Sequence, residues 1–274
     1  MTDRAALDRH RAQHVPSALF LHEIAADQIR ERLKEVNRTF ISPAIVTGHG
    51  NFWANVIPGA RIVEDTDTLD LSPGTHDLVI HAMALHWAND PIGQMVQCRR
   101  ALKPDGLFLS VALGGQTLSE LRIALAEAET RLTGGLSPRV APMAEIRDMG
   151  SLLQRAGLAL PVADIDPLTV TYRDATGLMH DLRAMGETNA MAARNRRPPS
   201  RRIFETAARI YADRFPADDP TRIRASFDLI YLSGWAPDES QQKPLRPGSA
   251  RHRLSDALHV PETPLRDDSP SGGN

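Results

Sequence analysis

Two closely spaced glycines after a short apolar run are the residues whose types and spacing most clearly suggest ligand chemistry. Gly48 and Gly50 flank His49 and follow Ala44-Ile45-Val46, a run typical of a buried strand. Because glycine lacks a side chain, such a turn lets the backbone approach a bound ligand closely. Nucleotide-binding parallel sheets place a glycine-rich turn after the first strand for this purpose. The pattern predicts cofactor contacts at Gly48 and Gly50, although a plain strand-to-helix turn has the same composition.

Acidic residues follow the next predicted strand. Arg61-Ile62-Val63 is a short apolar segment, and Glu64 and Asp65 come directly after it. An acid at this position holds ribose hydroxyls in dinucleotide-binding folds. Asp65 could equally be a solvated turn carboxylate, and His86 could either line a pocket or be structural. The predicted cofactor-binding set contains Gly48, Gly50, Glu64, Asp65 and His86. We identify no catalytic residue and no cluster of metal ligands in the sequence.

Composition restricts the classes of protein to consider. The chain has 274 residues, 42% apolar and 24% charged, enough for one α/β core with a second subdomain or a large insertion. A formal net charge of -2 gives no bulk attraction to nucleic acid or to anionic membranes. Cys98 is the single cysteine, so an internal disulfide is excluded and a reducing compartment is favoured. No apolar run is long enough for a membrane span and no signal peptide is evident, so we expect a cytoplasmic protein.

The element that carries the glycine turn belongs to an alternating pattern of strands and helices. Apolar residues at helical spacing predict a helix over 17–36, before the first strand. Asp90 and Pro91 are a typical N-cap and first residue of a helix, which we expect to end near Leu102 and a turn at 103–106. Further strands are predicted at 77–80 and at 107–113, the second apolar on both faces and therefore central. This alternation predicts a doubly wound, mostly parallel α/β sheet.

The second half of the chain is predicted to be more helical. Thr117 to Glu120 has the pattern of a capping box at the start of a helix. Helices are expected near 144–156, 175–185 and 200–214, and strands near 162–172 and 228–235. We therefore expect an N-terminal helical segment over 1–40, an α/β core over 41–174, a mostly helical elaboration of the same domain over 175–259, and a disordered tail over 260–274.

Short motifs in the middle of the chain resemble those of class I methyltransferases dependent on S-adenosylmethionine (SAM). The resemblance lies in the order and spacing of Leu69-Asp70-Leu71, His76-Asp77-Leu78-Val79-Ile80, Ala84-Leu85-His86-Trp87 and Leu102-Lys103-Pro104-Asp105-Gly106. It implies a Rossmann-like methyltransferase fold, with SAM as the expected cofactor.

Motifs in the C-terminal half sharpen the resemblance. The chain looks like the mitochondrial complex I assembly factor 5 family and its bacterial relatives over Gly114 to Arg122, Gly135 to Pro138, Ala184 to Asn189 and Ser233 to Gln241. In that family, the mitochondrial member is associated with hydroxylation of an arginine of a complex I subunit. The resemblance therefore implies a protein substrate or client. The carrier-protein methyltransferase of biotin synthesis is a second relative by fold, but it does not explain the Trp235 segment.

The cofactor region departs from the family pattern. Val46 stands where an acid is expected, and Phe52 stands where a third glycine is expected. From Gly48 to Val79 there is room for one βαβ unit of roughly 30 residues, whereas the fold needs two. Either Asp65 is the adenine acceptor and the second strand is missing, or 61–63 is the second strand and the third is missing. Both alternatives predict a fold shortened by one strand–helix unit and weak or absent SAM binding.

Two surfaces are candidates for partner contacts. A basic group around Pro198-Pro199 either is a solvated loop or docks an acidic partner; it contains Arg194, Arg196, Arg197, Arg201 and Arg202. Residues 241–249 have little apolar content to bury and are expected on the surface. Two functional classes follow: a SAM-dependent enzyme that acts on a respiratory-complex subunit, or a non-catalytic assembly or chaperone factor, in effect a pseudoenzyme, that uses the same fold as a scaffold.

Overall fold

A six-stranded sheet forms the centre of the computed structural model, which describes residues 1–241. The strands are β1 (Pro43–Val46), β2 (Arg61–Val63), β3 (His76–Ala82), β4 (Leu102–Gly114), β5 (Ala159–Tyr172) and β6 (Ile223–Trp235). Their order is β2-β1-β3-β4-β6-β5. β1 to β4 pair in parallel, and β6 runs antiparallel to both of its neighbours. This sheet confirms the predicted α/β methyltransferase-like fold class.

Helices cover both faces of the sheet. They are α1 (Arg4–Ala12), α2 (Phe20–Val36), α3 (Gly50–Trp53), α4 (Pro91–Ala101), α5 (Ser119–Thr133), α6 (Ile146–Arg155), α7 (Ala175–Met185) and α8 (Arg201–Arg214). Apolar residues of α2, α5, α7 and α8 form one core with the sheet. Residues of α4 and α6 form a second core on the opposite face. α1 packs separately, through Ala6 and Leu7 against Trp87 and Ala190.

Capping residues explain several helix boundaries. Asp90 accepts a hydrogen bond from the Gly93 amide at 2.8 Å, with Pro91 in the first turn of α4 as the sequence predicts. Asp174 caps α7 in the same way through the Gly177 amide, also at 2.8 Å. α7 ends at Gly186, whose φ of +84° is readily adopted by glycine.

The segment between β1 and β3 is short, as predicted. It contains one strand, β2, and the single-turn helix α3. β2 forms one edge of the sheet and pairs in parallel with β1, placing Ile62 beside Ile45. Arg61–Val63 thus occupies the position of a second strand, the second of the two alternatives left open by the sequence, and no further strand lies outside it in the described part of the chain.

Two local predictions were wrong. The predicted capping box does not cap α5, because Leu118, with a φ of +54°, precedes the helix and Thr117 instead accepts from the Asp228 amide at 2.9 Å. Glu120 likewise accepts from the Ser226 hydroxyl at 2.6 Å, so both side chains tie α5 to β6. The expected turn at 103–106 lies within β4, which accommodates a φ of +57° at Asp105.

Residues Met1–Glu239 form one compact unit. In the part of the chain that the structure describes, no helix is both long and apolar enough to cross a membrane. The predicted disordered tail over 260–274, and all of the 241–249 segment beyond Gln241, lie outside the described residues.

Candidate functional site

Four of the five predicted cofactor residues line one cavity. Gly48, Gly50, Glu64 and Asp65 surround a space of about 660 Å³ beyond the C-terminal ends of β1 and β2. Ligands of open α/β sheets bind at this edge because the turns after the strands converge there. His86 lies apart and lines a different cavity. The glycine turn and the acids therefore share a site, and a cofactor role for each of them stays a prediction.

The N-terminal helix α1 covers the glycine turn. The Arg11 guanidinium packs directly on Gly48, so that a Cβ at this position would overlap it. Arg11 Nη1 donates to both carboxylate oxygens of Asp65, at 2.8 and 2.9 Å. Arg4 adds a third bond to the same carboxylate at 3.2 Å. The side chains of Arg11 and Asp65 are only 5% and 4% exposed, so this ion pair is internal.

Asp65 is held in its charged form. Burial raises the pKa of the carboxyl, but the positive charges of Arg11 and Arg4 outweigh burial and hold the pKa below its usual value. Both carboxylate oxygens of Asp65 therefore accept hydrogen bonds from arginines of α1. Arg11 therefore occupies two of the contacts that the resemblance assigns to SAM, whereas Glu64 remains exposed on the same cavity, and weak or absent SAM binding stays a prediction.

A second cavity of about 220 Å³ lies beside the C-terminal end of β4. Its apolar walls come from the end of β4, the start of α5, the 140–143 segment, α7 and α8: Leu113, Leu118, Leu121, Leu125, Val140, Met143, Met179, Leu182 and Phe204. Polar side chains gather where the 186–189 segment follows α7, namely Glu187, Thr188 and Asn189, together with His86. The cavity therefore combines a long apolar wall with a polar end that contains a carboxylate.

Glu187 is a buried charge at that polar end. Its Oε2 accepts a hydrogen bond from Trp87 Nε1 at 2.7 Å and lies 3.4 Å from His86 Nε2. The side chain is 6% exposed. Burial raises the pKa of the carboxyl, but contacts with His86, Trp87 and the charge of Arg11 lower it to about 2. Glu187 is therefore ionised near neutral pH.

Two further histidines lie close to Glu187. The rings of His22 and His49 meet edge to face with centroids 4.6 Å apart. One ligand atom from each of His22, His49 and Glu187 lies within 4.8 Å of the others. Burial lowers the pKa of His22 to about 3 and of His49 to about 4, so both rings are neutral. This set could hold a metal ion, in contrast to the sequence analysis, which identified no ligand cluster.

Sequence reasoning missed this group because its members come from separate elements: α2, the glycine turn and the segment after α7. Two signals were present. His49 stands between the two glycines of the turn, and Glu187 belongs to the Ala184 to Asn189 motif that supported the resemblance. The role of Arg11 had no comparable local signal.

The basic group around Pro198-Pro199 is partly engaged within the chain. Arg194 pairs with Asp3 at 2.9 Å, and Arg196 approaches the same carboxylate at 3.5 Å. Arg201 pairs with Glu205, one turn along α8, at 3.0 Å. Arg194 therefore anchors the N-terminal segment through Asp3. A docking role for the exposed arginines of the group stays a prediction.

The chain is similar to known methyltransferase-fold proteins. Residues 22–110 match the family model described as "Methyltransferase domain". A putative methyltransferase from Bacillus halodurans has a solved structure with a TM-score of 0.47 and 13% identity, covering 76% of this chain and 98% of that one. The malonyl-[acyl-carrier protein] O-methyltransferase of Laribacter hongkongensis is 33% identical over 69% of this chain and 61% of its own length.

Stronger matches carry one name, "Arginine-hydroxylase NDUFAF5, mitochondrial". The Danio rerio protein is 33% identical over 258 residues, which are 94% of this chain and 73% of that protein. The Dictyostelium discoideum protein is 43% identical over 180 residues, 66% of this chain and 41% of that protein. For the human protein the chain aligns with 56% of the length at 38% identity. On this similarity, together with the methyltransferase-like sheet, the chain belongs to the arginine-hydroxylase NDUFAF5 family, as the motifs predicted.

Proposed function

We propose that this protein binds an arginine side chain of a protein client, a respiratory-complex subunit, and hydroxylates it in a two-electron oxidation whose oxygen atom comes from an external oxidant. The observation that carries the proposal is the ionised Glu187 at the polar end of a cavity whose walls are largely apolar. Arginine combines an aliphatic stem with a planar cation, and carboxylates are its preferred partners. The name of the relatives supports arginine hydroxylation as the reaction.

The size of the cavity supports a single side chain as the ligand. Its volume of about 220 Å³ is below the roughly 300–1,000 Å³ typical of pockets for drug-sized molecules. The walls formed by Leu121, Leu125 and Phe204 suit the aliphatic stem, since apolar area buried there is removed from water. Two cations, Arg139 and Arg183, also line the cavity, and Glu129 pairs with Arg139 through a bond of 2.7 Å.

The experiment compares client arginines in cells that lack this protein and in cells complemented with variants. Mass spectrometry of respiratory complex I subunits should find an arginine with one added oxygen only when the wild-type protein is present. We expect Glu187→Gln to abolish the modification, because a neutral amide replaces the charge that attracts the guanidinium. Glu31→Gln, a matched change at an exposed residue of α2 that pairs with Lys34, should leave it intact. An arginine that is modified without this protein overturns the proposal.

A second candidate function is favoured by the covered glycine turn. Because Arg11 occupies Gly48 and Asp65, we infer that SAM binds weakly or not at all, which suits an assembly or chaperone factor without catalysis. Calorimetric titration with SAM and S-adenosylhomocysteine tests this inference. No heat at millimolar ligand supports it, and a micromolar dissociation constant, about -8 kcal/mol, overturns it.

The assembly role and the enzyme role give different results in the complementation experiment. A non-catalytic factor restores complex assembly while every client arginine stays unmodified.

We also propose that the protein is cytoplasmic. The proposal rests on Cys98, a single cysteine that we expect to be reduced, and fractionation of the cells that produce the protein tests it.

A further inference from the structure

We propose that His22, His49 and Glu187 form a binding site for one divalent transition-metal ion. The site lies between the two cavities, since His49 lines the first and Glu187 lines the second. Metal binding here does not depend on arginine hydroxylation, and its test measures metal alone.

Three separate elements bring the ligands together. His22 lies in the first turns of α2, and His49 directly precedes α3 within the glycine turn. Glu187 follows α7 because Gly186, with a φ of +84°, ends that helix and turns the chain. Gly186 in turn packs closely on the backbone of Arg11, so the turn that carries Glu187 is fixed against α1.

Four buried polar atoms of these three residues lack a hydrogen-bond partner within the described residues. His22 Nε2, both ring nitrogens of His49 and Glu187 Oε1 are buried, and none has a hydrogen-bond partner within the structure. His22 and His49 are only 1% and 3% exposed. Buried polar atoms in folded proteins are nearly always partnered, so these four atoms are groups to which a further ligand could bind.

The chemistry of these groups favours a transition metal. Imidazole nitrogens and carboxylate oxygens are both common ligands of metal ions in proteins. Two nitrogens and one oxygen suit Fe²⁺, Co²⁺, Ni²⁺ or Zn²⁺, whereas Mg²⁺ and Ca²⁺ prefer oxygen alone.

The side chains must close slightly around the ion. Ligand bonds of about 2.0–2.2 Å require ligand atoms closer together than the present 4.8 Å, so a movement of on the order of 1 Å is needed. Rotation of the Glu187 carboxylate and of the His49 ring, which has no hydrogen bond to lose, can provide it. Three protein ligands leave positions for water or a substrate.

Trp53 competes with the metal. Its Nε1 donates to His22 Nδ1 at 3.0 Å, so the neutral ring carries its proton on Nε2. A metal on Nε2 moves that proton to Nδ1, and the indole then loses its acceptor. Metal binding must therefore perturb Trp53 and is opposed by one hydrogen bond. Replacing Trp53 with phenylalanine removes the competing donor and should tighten metal binding, an effect that a purely structural role of Trp53 would not produce.

The set of two histidines and one carboxylate is also used by iron(II) oxygenases. This relation would connect the site with the proposed hydroxylation. The closing experiment keeps the two proposals separate, because metal affinity is measured without any client protein.

The experiment uses the full chain, purified without a histidine tag and freed of metal by a chelator. Co²⁺ is added while visible absorption and tryptophan fluorescence are recorded, and Zn²⁺ binding is measured by calorimetry. We expect one ion per chain and a change in tryptophan fluorescence on binding. His49→Gln and Glu187→Gln should each weaken binding at least tenfold, and Trp53→Phe should strengthen it in calorimetry. The exposed His180→Ala serves as the control and should have no effect.

Thermal unfolding of each variant shows whether it is folded, and His49→Gln keeps the test informative if Glu187→Gln fails to fold. The absence of saturable Co²⁺ and Zn²⁺ binding to the wild-type protein overturns the proposal. Binding that is unaffected by both His49→Gln and Glu187→Gln overturns it as well.

Discussion

Replacing Arg11 with methionine should destabilise the protein strongly. Methionine keeps an aliphatic stem over Gly48 but leaves the Asp65 carboxylate without its main partner. Breaking a buried ion pair by removing one partner costs about 3–5 kcal/mol. Arg4 remains at 3.2 Å and retains part of the compensation. We therefore expect the free energy of unfolding to fall by about 2–3 kcal/mol near neutral pH.

The loss should depend on pH. In the wild-type protein the pKa of Asp65 lies below its ordinary value, so its pair with Arg11 stabilises the fold above about pH 4 and is lost as the pH falls through the lowered pKa. Without Arg11, burial is opposed by Arg4 alone, and the pKa of Asp65 rises. Protonation then relieves the buried charge, so the difference between variant and wild type shrinks as the pH falls from about 7 to 4.5.

Urea unfolding followed by far-ultraviolet circular dichroism measures both effects. Arg173→Met is the matched control, because the Arg173 side chain is 89% exposed and its neighbour Asp174 keeps its role in capping α7. This control should change stability by less than about 0.5 kcal/mol. A loss below about 1 kcal/mol for Arg11→Met, or an equal loss at both pH values, would refute the buried-pair reasoning.

Three further predictions concern the turn, the cysteine and the cavity wall. Arg11→Ala uncovers Gly48, so calorimetry should show S-adenosylhomocysteine binding at least tenfold tighter than in the wild type; equal affinities would mean that Arg11 is not the obstacle. Cys98 is fully buried and burial raises the pKa of its thiol, so a thiol reagent should label it only after unfolding in urea, and rapid labelling of the folded protein contradicts this. Glu129 accepts from the Ser137 amide at 3.0 Å and from Arg139 at 2.7 Å, so Glu129→Gln should speed amide hydrogen exchange over 134–143 roughly tenfold, whereas unchanged exchange speaks against this anchor.

Local patterns in the sequence were sufficient for the fold class. Buried strands followed by turn residues and amphipathic helices predict an α/β sheet, because burial and backbone geometry repeat with the period of each element. The Asp90-Pro91 helix start was predictable for the same reason, since the Gly93 amide lies within three residues of its cap. The convergence of Gly48, Gly50, Glu64 and Asp65 also follows from the sequence, because turns after adjacent parallel strands meet at one edge.

Other local signals failed where distant partners competed for the same groups. Thr117 and Glu120 match a capping box, yet the Asp228 amide and the Ser226 hydroxyl of β6 take their side-chain oxygens. His86 was grouped with the cofactor residues, yet the turn after β3 directs it to the other cavity, where its Nδ1 accepts from the Leu113 amide at 3.4 Å. Hydrogen-bond partners far apart in the chain are set by packing, which a sequence pattern does not record.

The sequence by itself determined the sheet, the glycine turn with its acids, and the family. Only the tertiary structure decided what those residues contact. It placed 61–63 beside β1, laid Arg11 across Gly48, and brought His22, His49 and Glu187 to one point. The physical reason is range: backbone propensity and apolar periodicity act over a few residues, whereas ion pairs and ligand clusters depend on how whole helices dock against the sheet.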